Sequence, residues 1–100
     1  MRLISQDGKI DIPYKNSAVY IVANYDYNKE MKYDITGYKI TTCIGDNYWD
    51  LGVYSTEEKA LQVMEMLQQQ YILHLSTVLV DVKAESTYFK FPPDEKEHYI

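Results

Sequence analysis

One cysteine, three prolines, four glycines and two histidines in 100 residues leave several chemistries without raw material. A lone Cys43 can form neither an intrachain disulfide nor a cysteine-based zinc site, and no base neighbours it in sequence. It is expected as a small apolar strand residue with a reduced thiol, in a cytoplasmic protein. His74 and His98 lack the i, i+4 spacing of a metal-binding helix. Gly8, Gly37, Gly45 and Gly52 are isolated, so no glycine-rich loop can cradle a phosphate. Ser5, Ser17, Ser55, Ser76 and Ser86 have no nucleophile-elbow context. Asp46, Asn47 and Asp50 lack the loop length and closing Glu of a calcium site, which leaves them to a turn. No catalytic group, metal or cofactor is expected from these residues.

Positive charge is scarce as well. Ten Lys and Arg stand against 15 Asp and Glu, a net charge of −5. Residues 1–28 carry three bases and three acids, 29–54 three and four, 55–80 one and three, and 81–100 three and five. A surface for duplex nucleic acid needs clustered bases to neutralise phosphates, and no segment supplies them. No apolar run approaches the roughly 20 residues that span a bilayer. After Met1-Arg2 the chain turns polar at Ser5-Gln6-Asp7-Gly8, so neither a leader peptide nor a membrane partner is expected.

What is abundant is tyrosine, which supplies 11 residues against two Phe and one Trp. Hydrophobic residues make up 46 % of the chain, enough for one folded domain over residues 1–93. Asp7-Gly8 between two short apolar runs signals a hairpin, and Pro13 ends its second strand. Ala18–Tyr27 and Ile35–Ile44 read as strands, rich in β-branched and aromatic residues. Gly45-Asp46-Asn47 is a turn, and Tyr48–Tyr54 returns as a strand.

The period then changes. Ser55-Thr56-Glu57-Glu58 has the form of a capping box with Ser55 as the cap. Ala60, Val63, Met64, Leu67 and Tyr71 fall on one helical face, with Glu57, Glu65, Gln68 and Gln69 outward. The pattern predicts a helix from about Thr56 to Leu73. Alternating Val78, Val80 and Val82 favour a strand over Thr77–Lys83, with a longer helix as the competing reading. Tyr88–Phe91 is a last strand before Pro92-Pro93, and 94–100 an acidic flexible tail. The fold class is α+β: an antiparallel meander of five to seven strands packed against one long amphipathic helix.

Tyr54 and Tyr71 fit the core or its rim. Tyr20, Tyr25, Tyr27, Tyr33, Tyr38 and Tyr48 fall on or beside strands. The densest patch is Tyr25, Tyr27, Lys29, Lys32 and Tyr33. Tyrosine offers a large ring and a hydroxyl at low entropic cost, which suits recognition surfaces. Rings interleaved with lysines can also stack a base and hold a phosphate. Three readings stay open here: cross-strand packing on a half-exposed sheet, a protein interface, or a site for a small nucleotide-like ligand.

Three stretches resemble small accessory proteins of phages and prophages of Gram-positive bacteria. They are Met-Arg-Leu-Ile-Ser-Gln-Asp-Gly-Lys-Ile-Asp-Ile-Pro-Tyr at 1–14, Leu-Gly-Val-Tyr-Ser-Thr-Glu-Glu-Lys-Ala at 51–60, and Phe-Lys-Phe-Pro-Pro-Asp-Glu at 89–95. The resemblance implies a mobile-element protein acting in a host cytoplasm and brings no site residues with it. The expected function is binding rather than catalysis: antagonism of a host process, such as antiviral defence, through contact with a host protein. Sequestration of a nucleotide-derived immune signal is the alternative, and a small structural or regulatory protein without ligand the second. Strand edges bearing Tyr and Val also predict a homo-oligomer.

Overall fold

The computed structural model describes residues 1–15, 17–27, 29–30, 32–78 and 88–94, with 77 and 78 described by backbone alone. The α+β class holds, but the strands do not form one meander. Among the described residues, six strands lie in two three-stranded sheets beside one helix. β1 (Arg2–Ile4) is the centre of the first sheet, antiparallel to β2 (Asp11–Pro13) and parallel to β6 (Tyr88–Lys90). β3 (Ala18–Tyr27), β4 (Tyr33–Ile44) and β5 (Asn47–Tyr54) form the second, an antiparallel meander. A parallel partner from the far end of the chain leaves no local sequence signal, because parallel pairing needs no turn.

In the first sheet Leu3 stands opposite Ile12 on one side and Phe89 on the other, and all three are buried. Their neighbours Arg2, Pro13, Asp11, Tyr88 and Lys90 are exposed, the period-two pattern of a sheet with one covered face. The β1–β2 connection is closed by Ser5, whose hydroxyl donates to Asp7 Oδ1 and accepts the Ile10 N–H. The Ser5 hydroxyl and the Lys9 amide together hold the Asp7 carboxyl below its usual range. Gly8 sits at φ 75°, as the Asp-Gly signal requires.

Gln6 joins the two sheets. Its N–H donates to Leu51 O at 2.8 Å, its Oε1 accepts the Val53 N–H at 2.8 Å, and its Nε2 donates to Val53 O and Pro92 O. The amide side chain thus stands in for a strand on the outer edge of β5. The outer edge of β3, ten residues long, carries no such cover among the described residues.

α1 (Glu57–Val78) lies on the meander, burying Ala60, Val63 and Leu67 against Ile40, Leu51 and Tyr54. Met64 packs on the rim of this core, as the helical face predicts, and Tyr71 is half-buried. Glu57, Glu65, Gln68 and Gln69 are exposed. The helix does not stop at Leu73: it carries through Thr77 and Val78, which the strand reading had claimed, while residues 79–83 lie outside the described residues.

The cap also differs from the sequence reading. Thr56, not Ser55, accepts the Lys59 N–H at 3.2 Å, so the motif is shifted by one residue and Glu58 is not at its closing position. Ser55 is held instead by Asp94, which accepts its N–H at 3.1 Å and pairs with Lys59 Nζ at 3.3 Å. Partial burial pushes the Asp94 carboxyl up, but the Ser55 amide, Lys59 and the Ser55 hydroxyl outweigh it and hold it below the usual carboxylate range. Asp94 therefore belongs to the fold rather than to the tail, and residues 95–100 lie outside the described residues.

Cys43 sits in β4 as expected but is only half-buried. Its neighbour Thr42 is fully buried, and its hydroxyl has no hydrogen-bond partner among the described residues. A buried hydroxyl without a partner keeps its desolvation penalty. Thr42→Val is therefore expected to raise stability by about 1 kcal/mol, read from the midpoint of a urea titration. A lower midpoint would mean that the hydroxyl is satisfied.

Candidate functional site

The β3–β4 hairpin is longer than its support. β5 pairs with β4 only over Tyr38–Ile44, so Tyr33–Gly37 and the matching end of β3 continue as a two-stranded arm. The molecule measures 57 × 34 × 19 Å, with a radius of gyration of 15.2 Å. A compact chain of this length has about 13 Å.

A bulge between Asn24 and Tyr25 marks the start of the arm, and Thr36 is the extra residue. Thr36 Oγ1 donates to Asn24 O at 3.2 Å, fixing the bulge. Beyond it Tyr25 stands opposite Ile35, and Tyr27 opposite Tyr33. Pairs directly opposite share a face, so Tyr25, Tyr27, Tyr33 and Ile35 lie together. Tyr33 makes edge-to-face contacts with Tyr27 at 4.4 Å and with Tyr25 at 6.0 Å between ring centroids. All four remain half-exposed or more: 55 %, 57 %, 65 % and 52 % respectively. A shallow groove runs between the Tyr25 and Tyr33 rings.

Alternation along β3 places Tyr25 and Tyr27 on the same face as Val19 and Ile21, which pack on the core under the helix. The arm thus extends the sheet's core-facing surface past the end of its cover. The opposite face carries Asp26 opposite Asp34.

Of the five residues singled out from sequence, Tyr25, Tyr27 and Tyr33 form this face. Lys29 lies in the turn at the arm's tip, and Lys32 just before β4, both exposed. Ile35 was missed, although strand alternation from Tyr33 would have found it. Tyr20, Tyr38 and Tyr54 sit nearer the body: Tyr54 is fully buried, and Tyr20 and Tyr38 are half-buried. Burial, with Cys43, Tyr48 and Asp50 alongside, pushes the Tyr20 phenol up.

A second concavity, of about 520 Å³, was not anticipated from sequence. It is lined by Arg2, Tyr14, Lys15, Tyr71 and His74 among others. His74, expected as an ordinary helix-end residue, is 8 % exposed, and its Nε2 lies 3.5 Å from the Met1 amino group. Among the described residues no group of three or more His, Cys, Asp or Glu is placed to hold a metal, and no helix is long and apolar enough to cross a membrane. Comparison with family models, with curated proteins and with solved structures yields no match.

Proposed function

We propose that the chain is a binding protein whose β3–β4 arm receives an apolar surface of a partner protein. The observation behind this reading is the continuous face of Tyr25, Tyr27, Tyr33 and Ile35, about half-exposed, on a section of sheet with no second layer among the described residues. A two-stranded ribbon alone is marginal in water, and its apolar face gains most by being covered. Aromatic residues with a polar tip are the usual anchors of such interfaces. The resemblance to phage accessory proteins makes a host protein the partner, and antagonism of a host process the outcome.

The test compares the full chain with a Tyr25→Thr/Tyr27→Thr/Tyr33→Thr variant as bait in a Gram-positive host lysate. Threonine keeps strand propensity while removing the rings. Support is a protein retained by the parent bait and lost by the variant, with binding reproduced from purified components. If instead light scattering shows that only the parent chain doubles in mass, the arm's occupant is a second copy and the host-protein reading fails. Identical capture by both baits removes the arm from the interaction.

A further inference from the structure

The concavity around Tyr71 and His74 has a different chemistry from the arm. Tyr14 and Tyr71 stack at 4.8 Å between centroids with 25° between planes, and Tyr71 in turn lies 6.2 Å from His74 at 22°. Three flat rings therefore form one continuous stack beside the pocket. Arg2 and Lys15 stand at its edge, and no carboxylate lines it among the described residues. In a chain of net charge −5, the described residues lining this pocket include two bases and no acid.

Its polar groups are disposed to meet an anion. Lys15 forms no ion pair or hydrogen bond among the described residues. Arg2 is held in place by Asp11, at 2.7 Å from Nε to Oδ1 and 3.1 Å from Nη2 to the Asp11 carbonyl. Burial and the adjacent Tyr71 hydroxyl push the Tyr14 phenol up. The volume of about 520 Å³ falls within the range of small-molecule sites. We infer that this pocket binds a small organic anion carrying a planar ring, with the ring against the Tyr14–Tyr71 stack and its phosphate or carboxylate at Lys15 and Arg2. The inference goes beyond the arm reading and uses none of its residues. It also places a small-ligand function away from Tyr25 and Tyr33, whose groove is lined by rings alone among the described residues.

The test is an amide-resolved NMR titration of the full chain with adenosine 5′-monophosphate and with salicylate, which separate a phosphate from a carboxylate. Adenosine and inorganic phosphate report the ring and the anion alone. Expected are saturable shifts at residues 14–15 and 71–74 with at least one ring-bearing anion, and weaker binding of both controls. Lys15→Gln, an exposed change that spares the fold, should weaken that binding about tenfold. Tyr71→Leu should remove the advantage of the ring-bearing probe over inorganic phosphate. The arm triple variant should bind as the parent does, which keeps failure here distinct from failure of the arm reading. The inference is overturned if neither probe saturates by millimolar concentration, if Lys15→Gln binds equally, or if the shifts map to residues 25–35.

Discussion

Tyr54→Ala is expected to lose about 3–5 kcal/mol of folding stability, the range for removing a large buried ring. That is a large share of the roughly 5–15 kcal/mol that a domain of this size possesses. Tyr54 ends β5, is fully buried, and donates from its hydroxyl to Pro92 O at 2.8 Å. Two glycines define its seat. A Cβ at Gly52 would meet the Tyr54 ring at 2.9 Å, and one at Gly37 would meet its backbone oxygen at 2.9 Å. The sheet has thus left out side chains on two strands around this residue, and an alanine leaves a void that backbone cannot fill.

The hydroxyl is the smaller part of that effect. Pro92 O also accepts from Gln6 Nε2 at 2.9 Å, so Tyr54→Phe leaves no orphaned carbonyl and should cost only about 1 kcal/mol. Urea titrations of the three proteins check the ordering, with slopes compared to confirm that the unfolded reference is unchanged. An alanine variant within 1 kcal/mol of the phenylalanine one, by the same order-of-magnitude scale, would show that the site collapses and that the ring is not the keystone argued here.

Where the sequence was explicit, local chemistry carried the signal. The Asp7-Gly8 turn, strand Ala18–Tyr27 and the helical face Ala60, Val63, Leu67 each depend on neighbours within a few residues, and each is found as read. Three features that local patterns did not show share a cause. β6 pairs with β1 across most of the chain, Gln6 replaces a strand on β5, and Asp94 displaces Ser55 from the helix cap. All three are contacts between segments that only the folded chain brings together. A one-residue shift of the cap, from Ser55 to Thr56, follows from the third: once Asp94 holds the Ser55 amide, the next hydroxyl takes the helix N-terminus.

The candidate sites divide along the same line. Tyr25, Tyr27 and Tyr33 were legible because they are close in sequence and flank one hairpin turn. That they share a face, and that the face outruns the helix, required the register and the bulge at Asn24. The pocket was illegible, because Tyr14, Lys15, Tyr71 and His74 come from distant segments and no spacing relates them. His74 was read as a helix-end residue because the sequence pattern ended the helix at Leu73, one residue too early to bury it.

Loss of the three arm tyrosines should abolish partner binding, by 100-fold or more, while leaving the fold intact; anchor residues commonly contribute about 2 kcal/mol or more each. The rings are more than half-exposed, so their removal takes little from the core. What the arm itself loses is the Tyr27–Tyr33 and Tyr25–Tyr33 edge contacts, on the order of 0.5–1.5 kcal/mol each, and local fraying is the consequence to separate from lost contact. Amide exchange over residues 23–37 makes that separation. A variant that keeps its exchange protection and still fails to bind assigns the loss to the rings. Tyr33→Phe refines the assignment: retained affinity identifies the apolar ring as the anchor, whereas a loss comparable to the triple variant assigns it to the hydroxyl. Binding that survives the triple change within threefold, measured by calorimetry on the purified pair, would move the interface off the arm, and the uncovered edge of β3 would then be the next surface to test.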